Sequence, residues 1–419
     1  MARAATTGAY SVAVSLRPDA CPGVFALHDA ADGALARVRL PGGAIDAAAL
    51  RVVAGCAEDL GDGAAHLTSR GNVQLRGLRR DDPRPAARLA AAGLLPSTTH
   101  ERARNVLASP LSGIAGGLAD VRDLARELDR GLCARPALAA LSGRFLFALD
   151  DGRGDVARED PDLCWQAVGP CQRGDTADAQ CPPGDIPATG RPANGVLRVA
   201  GEPAARVPQT RAVAALLDAA EAFLAGSDGA WRVRRAAGEP AAAGPATAAL
   251  AGGPGGEASP PTPAPVGGPS DDGRAHAPAA RPAGPPLGWV PGADALVCAP
   301  VLGEVSAAQL RVLAAAAPRV VVTPWRTVVL SGARAGADAQ LAAAGFVVDP
   351  ASPVPLVSAC AGRPGCAKAL ADVRADARAG LVAGQFTERV HLSGCARRCG
   401  SPRGPHRALV AHAEGQYAG

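Results

Sequence analysis

Aromatic residues are scarce in this chain of 419 residues, at 3% of the total, and Lys368 is its only lysine. The apolar residues, 48% of the chain, are mostly Ala, Val and Leu, so we expect a core of small side chains. Almost all positive charge is carried by arginine, whose planar guanidinium binds carboxylates through two parallel hydrogen bonds. The net charge of +4 is too small to indicate nucleic-acid binding.

The sequence also lacks any apolar run of about eighteen residues, so a membrane-spanning helix is not expected. Its first residues have no apolar segment followed by a cleavage site. We therefore expect a soluble cytoplasmic protein that binds neither membranes nor nucleic acid. Its eleven cysteines, in a reducing compartment, are more often metal ligands, catalytic groups or core residues than disulfides.

One long segment has almost no large apolar side chain. Residues 236–286 consist mainly of Pro, Gly and Ala. Such a segment cannot bury enough apolar surface to offset the entropy lost on ordering. The composition therefore predicts a disordered linker between two folded parts of the chain.

The two parts that flank this linker resemble each other. Leu50 and Leu310 each begin a helical pattern that leads into a strand with an arginine, Arg70 or Arg326. The pentapeptide LADVR occurs at residues 118–122 and 370–374, and the tripeptide LSG at residues 141–143 and 392–394. All these matches are roughly 250–260 residues apart. The spacing predicts a tandem duplication with pseudo-twofold packing.

Each copy begins with a strand, a helix and a returning strand. In the first copy, "ALARVRLPGG" alternates apolar and polar residues, and "AIDAAALRVVAGCAEDL" has a helical apolar spacing after an aspartate cap. The segment "HLTSRGNVQLRGL" then alternates again. This order is typical of a ferredoxin-like α+β unit. We predict ferredoxin-like half-domains at residues 12–80 and 287–345, paired about a pseudo-twofold axis.

Four cysteines of the second copy have a recurring spacing, C-x5-C followed by C-x3-C, in two glycine-rich segments. Four thiolates are the usual ligands of a 4Fe-4S cluster. A structural zinc ion fits less well because zinc knuckles usually have C-x2–4-C in both pairs, and unrelated core thiols are a further alternative. The repeat places these cysteines, Cys360, Cys366, Cys395 and Cys399, opposite Ala108, Ile114, Arg144 and Ala148.

The other potential metal ligands have no such spacing. An iron site of two histidines and one carboxylate is possible in principle, with His66, His100 and His391 near the arginine and cysteine motifs. Without a spacing signal, each histidine is more often structural. The cysteines that we expect to be structural are Cys21, Cys56, Cys133, Cys164, Cys171, Cys181 and Cys298.

The motifs together resemble those of the nitrite and sulfite reductase hemoprotein superfamily. The cysteine pattern of "CAGRPGC" and "HLSGCARRC" is specific to the superfamily. The segments "ACPGVF", "RVRLPGG", "SRGNVQLRGL" and "ASPLSGIAG" most resemble its branch that hydroxylates a precorrin in aerobic cobalamin biosynthesis. The resemblance covers the chain except for the linker and residues 155–200. It implies an α/β reductase-type domain after each half-domain, at residues 95–235 without a cluster and at residues 350–419 with one.

The resemblance also implies a reaction and its cofactors. It implies an O2-dependent monooxygenase that hydroxylates the tetrapyrrole precorrin-3A, with formation of a lactone, using a NAD(P)H-linked electron donor. A 4Fe-4S cluster would be held by Cys360, Cys366, Cys395 and Cys399. In the reductases of the superfamily the last cysteine also bridges to siroheme, a role that would fall to Cys399. A non-heme iron is associated with the precorrin branch, and no motif identifies its ligands.

The arginines provide a second indication of an anionic substrate. An early corrin precursor carries a rim of carboxylates, which forked cations would bind. Arg70 and Arg76 lie on one face of an alternating strand, and the other candidates lie near motifs of the repeat. A solvated arginine surface is the alternative. The predicted substrate-binding residues are Arg70, Arg76, Arg104, Arg144 and Arg326.

One departure separates the members of the superfamily. Sulfite reductases have a K-F-K segment beside the reacting anion, where this chain has Arg144 and, at the second lysine, Leu146. Losing a cation there removes electrostatic stabilisation from an oxyanion undergoing reduction. The departure disfavours the first alternative, a siroheme-dependent sulfite or nitrite reductase. A non-catalytic iron–sulfur electron-transfer or tetrapyrrole-binding protein is the second alternative.

Overall fold

The structure is a computed structural model, and it describes residues 19, 21–169, 193–227, 229–233, 284–413 and 415–419. Cys171, Cys181 and nearly all of the predicted linker lie outside the described residues. In the described part the α-helices are α1 Ala47–Leu60, α2 Arg84–Ala91, α3 Arg122–Ala134, α4 Ala212–Gly226, α5 Ala307–Ala316, α6 Ala337–Ala343 and α7 Val373–Val382.

The strands form four sheets. In chain order they are β1 His28–Ala30, β2 Gly33–Val38, β3 Ala44–Asp46, β4 Ala64–Leu67, β5 Val73–Leu78, β6 Val106–Ala108, β7 Phe147–Asp150, β8 Leu163–Val168, β9 Asn194–Val199, β10 Glu202–Pro208, β11 Gly288–Trp289, β12 Ala295–Cys298, β13 Glu304–Ser306, β14 Arg319–Val322, β15 Val328–Ser331, β16 Val357–Ala359, β17 Val390–Ser393, β18 Arg407–Ala413 and β19 Gln416–Ala418. No helix among the described residues is long and apolar enough to cross a membrane.

Two of the sheets exchange a strand between the copies. The first has the order β1-β2-β5-β4-β13 and the second the order β11-β12-β15-β14-β3. Strand β13 of the second copy thus completes the sheet of the first, where Val305 pairs with Ala65. Strand β3 completes the sheet of the second copy, where Ile45 pairs with Val320. This reciprocal exchange gives the two half-domains their pseudo-twofold relation.

Helices α1 and α5 follow the exchanged strands directly. Asp46 caps α1 through its carboxylate, which accepts from the Ala49 N–H. Ser306 and Gln309 form a reciprocal capping box at α5. The buried faces of both helices are rich in Ala and Leu and belong to one continuous core. The sequence pattern of apolar residues after a capping side chain therefore sets where both helices begin.

The other two sheets form the α/β parts. In the sheet β10-β9-β8-β7-β6, strands β6, β7 and β8 are parallel, and α3 and α4 cover the core. In the sheet β16-β17-β18-β19, the first three strands are likewise parallel. The mixed α+β architecture predicted from the sequence is confirmed. The predicted domain bounds stay predictions, and residues 12–18 and 234–283 lie outside the described residues.

The register of the strands corrects the alignment of the two copies. Ser109 donates its N–H to the Leu149 carbonyl at 3.1 Å, and Cys360 donates its N–H to the Leu392 carbonyl at 3.0 Å. Cys360 is therefore equivalent to Ser109, and by the same register Cys395 is equivalent to Gly152. The expected equivalences with Ala108 and Arg144 are wrong, because one LSG tripeptide precedes β7 whereas the other ends β17.

The same correction applies to the paired arginines. The turn before β5 has Thr68 bonded to Asn72, with Gly71 at φ 62°. The turn before β15 has the same bond between Thr323 and Thr327, with Arg326 at φ 59°. Arg326 is therefore the equivalent of Gly71, and Trp325 takes the place of Arg70.

Candidate functional site

The four spaced cysteines lie on two loops at the carboxyl ends of neighbouring parallel strands. Ala359 of β16 pairs with Leu392 of β17, so the loops that begin at Cys360 and Gly394 emerge side by side. The Gly394 N–H donates to the Cys360 Sγ at 3.2 Å. Backbone N–H groups that point at sulfur are typical of sites that hold thiolates and iron–sulfur clusters.

Glycines make the close approach of these loops possible. A Cβ at Gly394 would lie 2.6 Å from the Ala369 Cβ and 3.6 Å from the Gly362 Cα. Gly362 itself has φ 66°, in the left-handed region that favours glycine. The glycine-rich composition of the cysteine segments is therefore a packing requirement of the site.

The thiol of Cys399 is affected by the charges of the other three cysteines. Burial raises the pKa of Cys399, and the charges of Cys360, Cys395 and Cys366 raise it further. Arg397 opposes this shift. A bound metal centre would oppose this repulsion between the thiolates and stabilise the thiolate forms.

A single zinc ion and an iron–sulfur cluster would hold the four sulfur atoms at different distances from one another. Among the described residues, no three cysteine Sγ atoms lie within 4.8 Å of one another. A tetrahedral zinc ion, with Zn–S bonds of about 2.3 Å, would hold its sulfur ligands about 3.8 Å apart. A four-iron cube holds its ligands farther apart. Four thiolates are the ligand set of a 4Fe-4S cluster, and this assignment stays a prediction.

His391 connects the strand β17 to the second cysteine loop. Its side chain is buried, with Nδ1 2.8 Å from the Ser358 Oγ and Nε2 3.2 Å from the Cys399 carbonyl oxygen. Burial lowers the pKa of His391 to about 4, so the ring is neutral at physiological pH. His391 thus orders the turn that carries Cys399.

Arg76 connects the first half-domain to the loop that carries Cys360 and Cys366, which we call the cluster loop. Its Nε and Nη2 donate to the two carboxylate oxygens of Asp32, both at 2.8 Å. Its Nη2 also donates to the carbonyl of Gly365, next to Cys366, at 2.9 Å. Arg76 therefore places the cluster loop against strands β2 and β5, and most of its donors are already used.

The other predicted arginines do not converge on one site. Arg104 is buried, bonded to both carboxylate oxygens of Asp129 at 2.6 and 2.8 Å and to the Leu94 carbonyl, so it is not free to bind a substrate. Arg144 is exposed and lies over the ring of Trp231, 4.9 Å from its centroid. Arg326 lies in a different group of charges, which is described below.

Arg70 belongs to a buried cationic group that sequence reasoning identified only in part. It donates to the Gly143 carbonyl at 3.1 Å, and burial lowers its pKa to about 10. Arg37 and Arg39 of the same group were missed. Burial lowers the pKa of both, and Arg39 is only 2% exposed. The alternation of "RVR", which puts both side chains on one face of the sheet, was the available signal.

This group, called the arginine face (Arg37, Arg39 and Arg70), has no carboxylate partner among the described residues. The Nε and Nη1 of Arg39 have no hydrogen-bond partner in the described part of the chain. Asp19 and Glu101 attract Arg37 and Arg39 from a distance, but their hydrogen bonds go to backbone donors: Asp19 accepts from the Gly143 N–H, and Glu101 accepts from the Val24 N–H. Unpaired buried cations are costly, so the arginine face is suited to an anionic ligand.

No described histidine joins a metal-ligand group with carboxylates. His66 is bonded to Asp62 at 2.8 Å, and the ring of His100 is bonded to Ser97. The one close group of potential ligands found among the described residues is Asp150, Asp151 and Asp155.

The oxygen atoms of this acidic group are occupied by protein donors, which include two backbone N–H groups, the Ser109 hydroxyl and Arg153. The non-heme iron therefore stays a prediction without assigned ligands.

Comparison with known proteins identifies the class of fold. Residues 28–92, from β1 to the end of α2, match the nitrite/sulfite reductase ferredoxin-like half domain. This match covers one half-domain of the chain, and it agrees with the resemblance of the motifs to that superfamily. The NirA protein of Mycobacterium tuberculosis has a similar fold, with a TM-score of 0.59 and 21% identity over 86% of this chain and 68% of that chain.

A more particular similarity extends along nearly the whole sequence. A precorrin-3B synthase from Sinorhizobium is 27% identical over 429 aligned positions, which cover 96% of this chain and 83% of the relative. Ferredoxin–nitrite reductases of Leptolyngbya laminosa and Synechococcus elongatus are 37% and 34% identical, but the matches cover only 27% and 28% of this chain. The match to the precorrin-3B synthase thus covers nearly all of this chain, whereas the matches to the nitrite reductases cover about a quarter of it.

Proposed function

We propose that this protein is a monooxygenase of the precorrin-3B synthase type, which hydroxylates precorrin-3A. The observation that carries this proposal is the contact of Arg76 with Gly365. It brings the four-cysteine loops against the half-domain that bears the arginine face. To be oxidised at a fixed position, a tetrapyrrole with a rim of carboxylates needs a redox centre beside the macrocycle and unpaired guanidiniums beside its carboxylates.

In this proposal Cys360, Cys366, Cys395 and Cys399 hold a 4Fe-4S cluster, which supplies single electrons when it is bound. Gly394 donates its N–H to one of these sulfur atoms. His391 holds the turn of Cys399 in place. The protein's contribution is to fix the geometry of the thiolates and to exclude competing ligands.

The arginine face would bind the substrate carboxylates. Arg37, Arg39 and Arg70 present guanidiniums that no described carboxylate neutralises, and a carboxylate at this position would offset the cost of their burial. Fixed anchoring of the macrocycle rim would orient one meso carbon toward the oxidant. Arg76 would act as a positioning residue, because its donors hold Asp32 and the cluster loop.

The proposed reaction balances with one equivalent of a two-electron donor. One oxygen atom of O2 enters the macrocycle, and the other leaves as water with two electrons and two protons. A NAD(P)H-linked donor would supply the electrons. Lactone formation by the ring A acetate involves no further oxidant.

A siroheme-dependent nitrite or sulfite reductase is the less favoured function. Leu146, at the position of the second lysine of K-F-K, is 2% exposed and packs against Leu107 and Ala148. Arg144, at the first position, lies over Trp231. One of the two cations that would stabilise a small oxyanion during reduction is therefore absent, and Arg144 is engaged with the ring of Trp231.

The experiment that tests the proposal is oxygen uptake by anaerobically purified protein after addition of precorrin-3A and a reductant. We expect one O2 consumed per product, and a product that has gained one oxygen atom by mass. Siroheme absorbance together with reductant-linked consumption of nitrite or sulfite would favour the reductase instead. A full iron–sulfur complement with no oxygen uptake would favour a non-catalytic electron-transfer or tetrapyrrole-binding protein.

A further inference from the structure

A second cationic site lies on the other copy of the duplication. A cleft of about 570 Å³, counting its open mouth, is formed where the second half-domain meets the amino ends of β16, β17 and β18. Glu159 from the first α/β part also lines it. We call it the basic cleft and define it by Glu159, Trp325, Arg326, Arg389 and Arg403.

Positive charge exceeds negative charge in the basic cleft. Three arginines face one carboxylate, Glu159, which already accepts from the Trp325 Nε1 at 3.0 Å. Arg403 is paired with Asp160 at 3.0 Å. Arg326 donates one hydrogen bond, from its Nη2 to the Gly400 carbonyl at 2.8 Å. The guanidinium of Arg389 has neither a hydrogen bond nor an ion pair with any described residue.

The loss of solvent around the charged groups of the basic cleft also favours binding of an anion. Burial lowers the pKa of Arg326 to about 10 and also lowers that of Arg389. Burial raises the pKa of Glu159. Each shift has the sign expected for a charged group that has lost water without gaining enough counter-charge.

The backbone around the cleft is adapted to hold Arg326. Leu302 and Arg326 both line the cleft with left-handed backbone, at φ 54° and 59°, where the first copy has Gly42 and Gly71. A Cβ at Gly303 would lie 2.8 Å from the Arg326 Cδ, so the stem of this arginine occupies space that only glycine leaves open. Strained residues of this kind persist where the surrounding structure fixes them, and they concentrate at ligand sites.

We propose that the basic cleft binds the phosphate group of a small molecule, at a site separate from the arginine face. Arg326 and Arg389 would contact the phosphate oxygens through their free N–H groups. The phosphate could be inorganic or part of a nucleotide, and these sources share the same recognition chemistry. The two arginines that would contact the phosphate belong to the second copy, and the proposal does not depend on the proposed reaction.

The test is calorimetric titration of the full chain with inorganic phosphate, NADPH and NADH, each in a separate arm. We expect inorganic phosphate or NADPH to bind, with affinity at least tenfold weaker in Arg389→Gln and partly recovered in Arg389→Lys. If NADPH binds more tightly than both phosphate and NADH, the phosphate belongs to a nucleotide. If phosphate and NADPH bind with comparable affinity, the ligand is the free anion.

A matched control separates this site from general surface charge. Arg211→Gln removes an exposed arginine of another face and should leave binding unchanged. Thermal unfolding of each variant checks that it is folded. No binding in any arm, or binding that is equal in wild type and Arg389→Gln, would overturn the proposal. Neither result requires precorrin-3A or the cluster, so failure here is distinguishable from failure of the proposed reaction.

Discussion

At the scale of single residues, the proposed substrate site consists of arginines that form no ion pair with any described carboxylate. Arg39 is almost fully buried, and two of its nitrogens have no partner. An uncompensated buried charge destabilises a protein by several kcal/mol. The arginine face therefore reduces the stability of the free protein, and a ligand with carboxylates would restore it.

The cysteines give the first prediction at this scale. Replacing Cys366 with serine removes one of four thiolates, so iron and acid-labile sulfide should fall from about four of each per chain to near zero. Iron and sulfide analysis of anaerobically purified protein measures this. Cys133→Ser, on α3 and half-buried, is the control and should keep its iron. Unchanged iron in Cys366→Ser would contradict the assignment.

The arginine face gives the second prediction. A hydrogen bond to a charged group contributes about 1.5–3 kcal/mol, so Arg70→Gln should weaken binding of precorrin-3A roughly ten- to hundredfold. Anaerobic titration of the wild type and the variant measures the effect. Arg79→Gln is the control, because Arg79 is exposed and paired only with Asp81. Equal affinities for wild type and Arg70→Gln would place the substrate elsewhere.

The acidic group of the first α/β part gives a third prediction. Burial and the charge of Asp150 raise the pKa of Asp155 to about 7, well above its value of 3.8 in the unfolded chain. Its protonated form is favoured in the fold, so stability from this group is present below pH 4 and is lost as pH rises through about 7.

Asp155→Asn keeps an acceptor for Ser109 without the charge. We expect it to be more stable than wild type at pH 8, on the order of 1–3 kcal/mol, and to lose this advantage toward pH 5. Urea unfolding at both pH values measures this, with the exposed Asp123→Asn as the control. Destabilisation at pH 8 would indicate that the carboxylate binds a cation.

At the scale of secondary-structure elements, the exchanged strands and their helices connect the two copies. Strand β13 sits in the first sheet and leads directly into α5, whose capping box begins at Ser306. Ser306→Ala should lower the free energy of unfolding by about 1 kcal/mol. Ser306→Asp, which keeps an acceptor, should lose much less. Urea unfolding of both variants compares them, and equal losses would contradict the capping role.

These elements also show what the sequence could and could not predict. The helix starts at Asp46 and Ser306 follow local patterns, since capping and apolar spacing act over a few residues. The equivalence of Arg70 with Arg326 was wrong by one residue, and that of Cys395 with Arg144 by eight. Register between distant strands depends on tertiary packing, and a shared tripeptide such as LSG in an alanine-rich chain does not fix it.

At the scale of the whole molecule, duplication has produced two similar frameworks with different chemistry. The cysteine site could be proposed from the sequence because four ligands of one type occur there in two short segments, and it stays a prediction. The arginine face was predicted only in part, because pairing between β2 and β5 brings Arg37 toward Gln74, and such pairing is not visible in the sequence. Arg104 was assigned to the substrate although Asp129, on α3, already binds it.

The most direct test of the central claim is whether the cluster and the tetrapyrrole site are neighbours. The measurement is the low-temperature electron paramagnetic resonance spectrum of the anaerobically reduced protein, recorded before and after addition of precorrin-3A without O2. The account predicts a 4Fe-4S signal that changes on addition and that does not change in Arg70→Gln at the same substrate concentration. Absence of a cluster signal, or a signal that precorrin-3A leaves unaltered in the wild type, would contradict it.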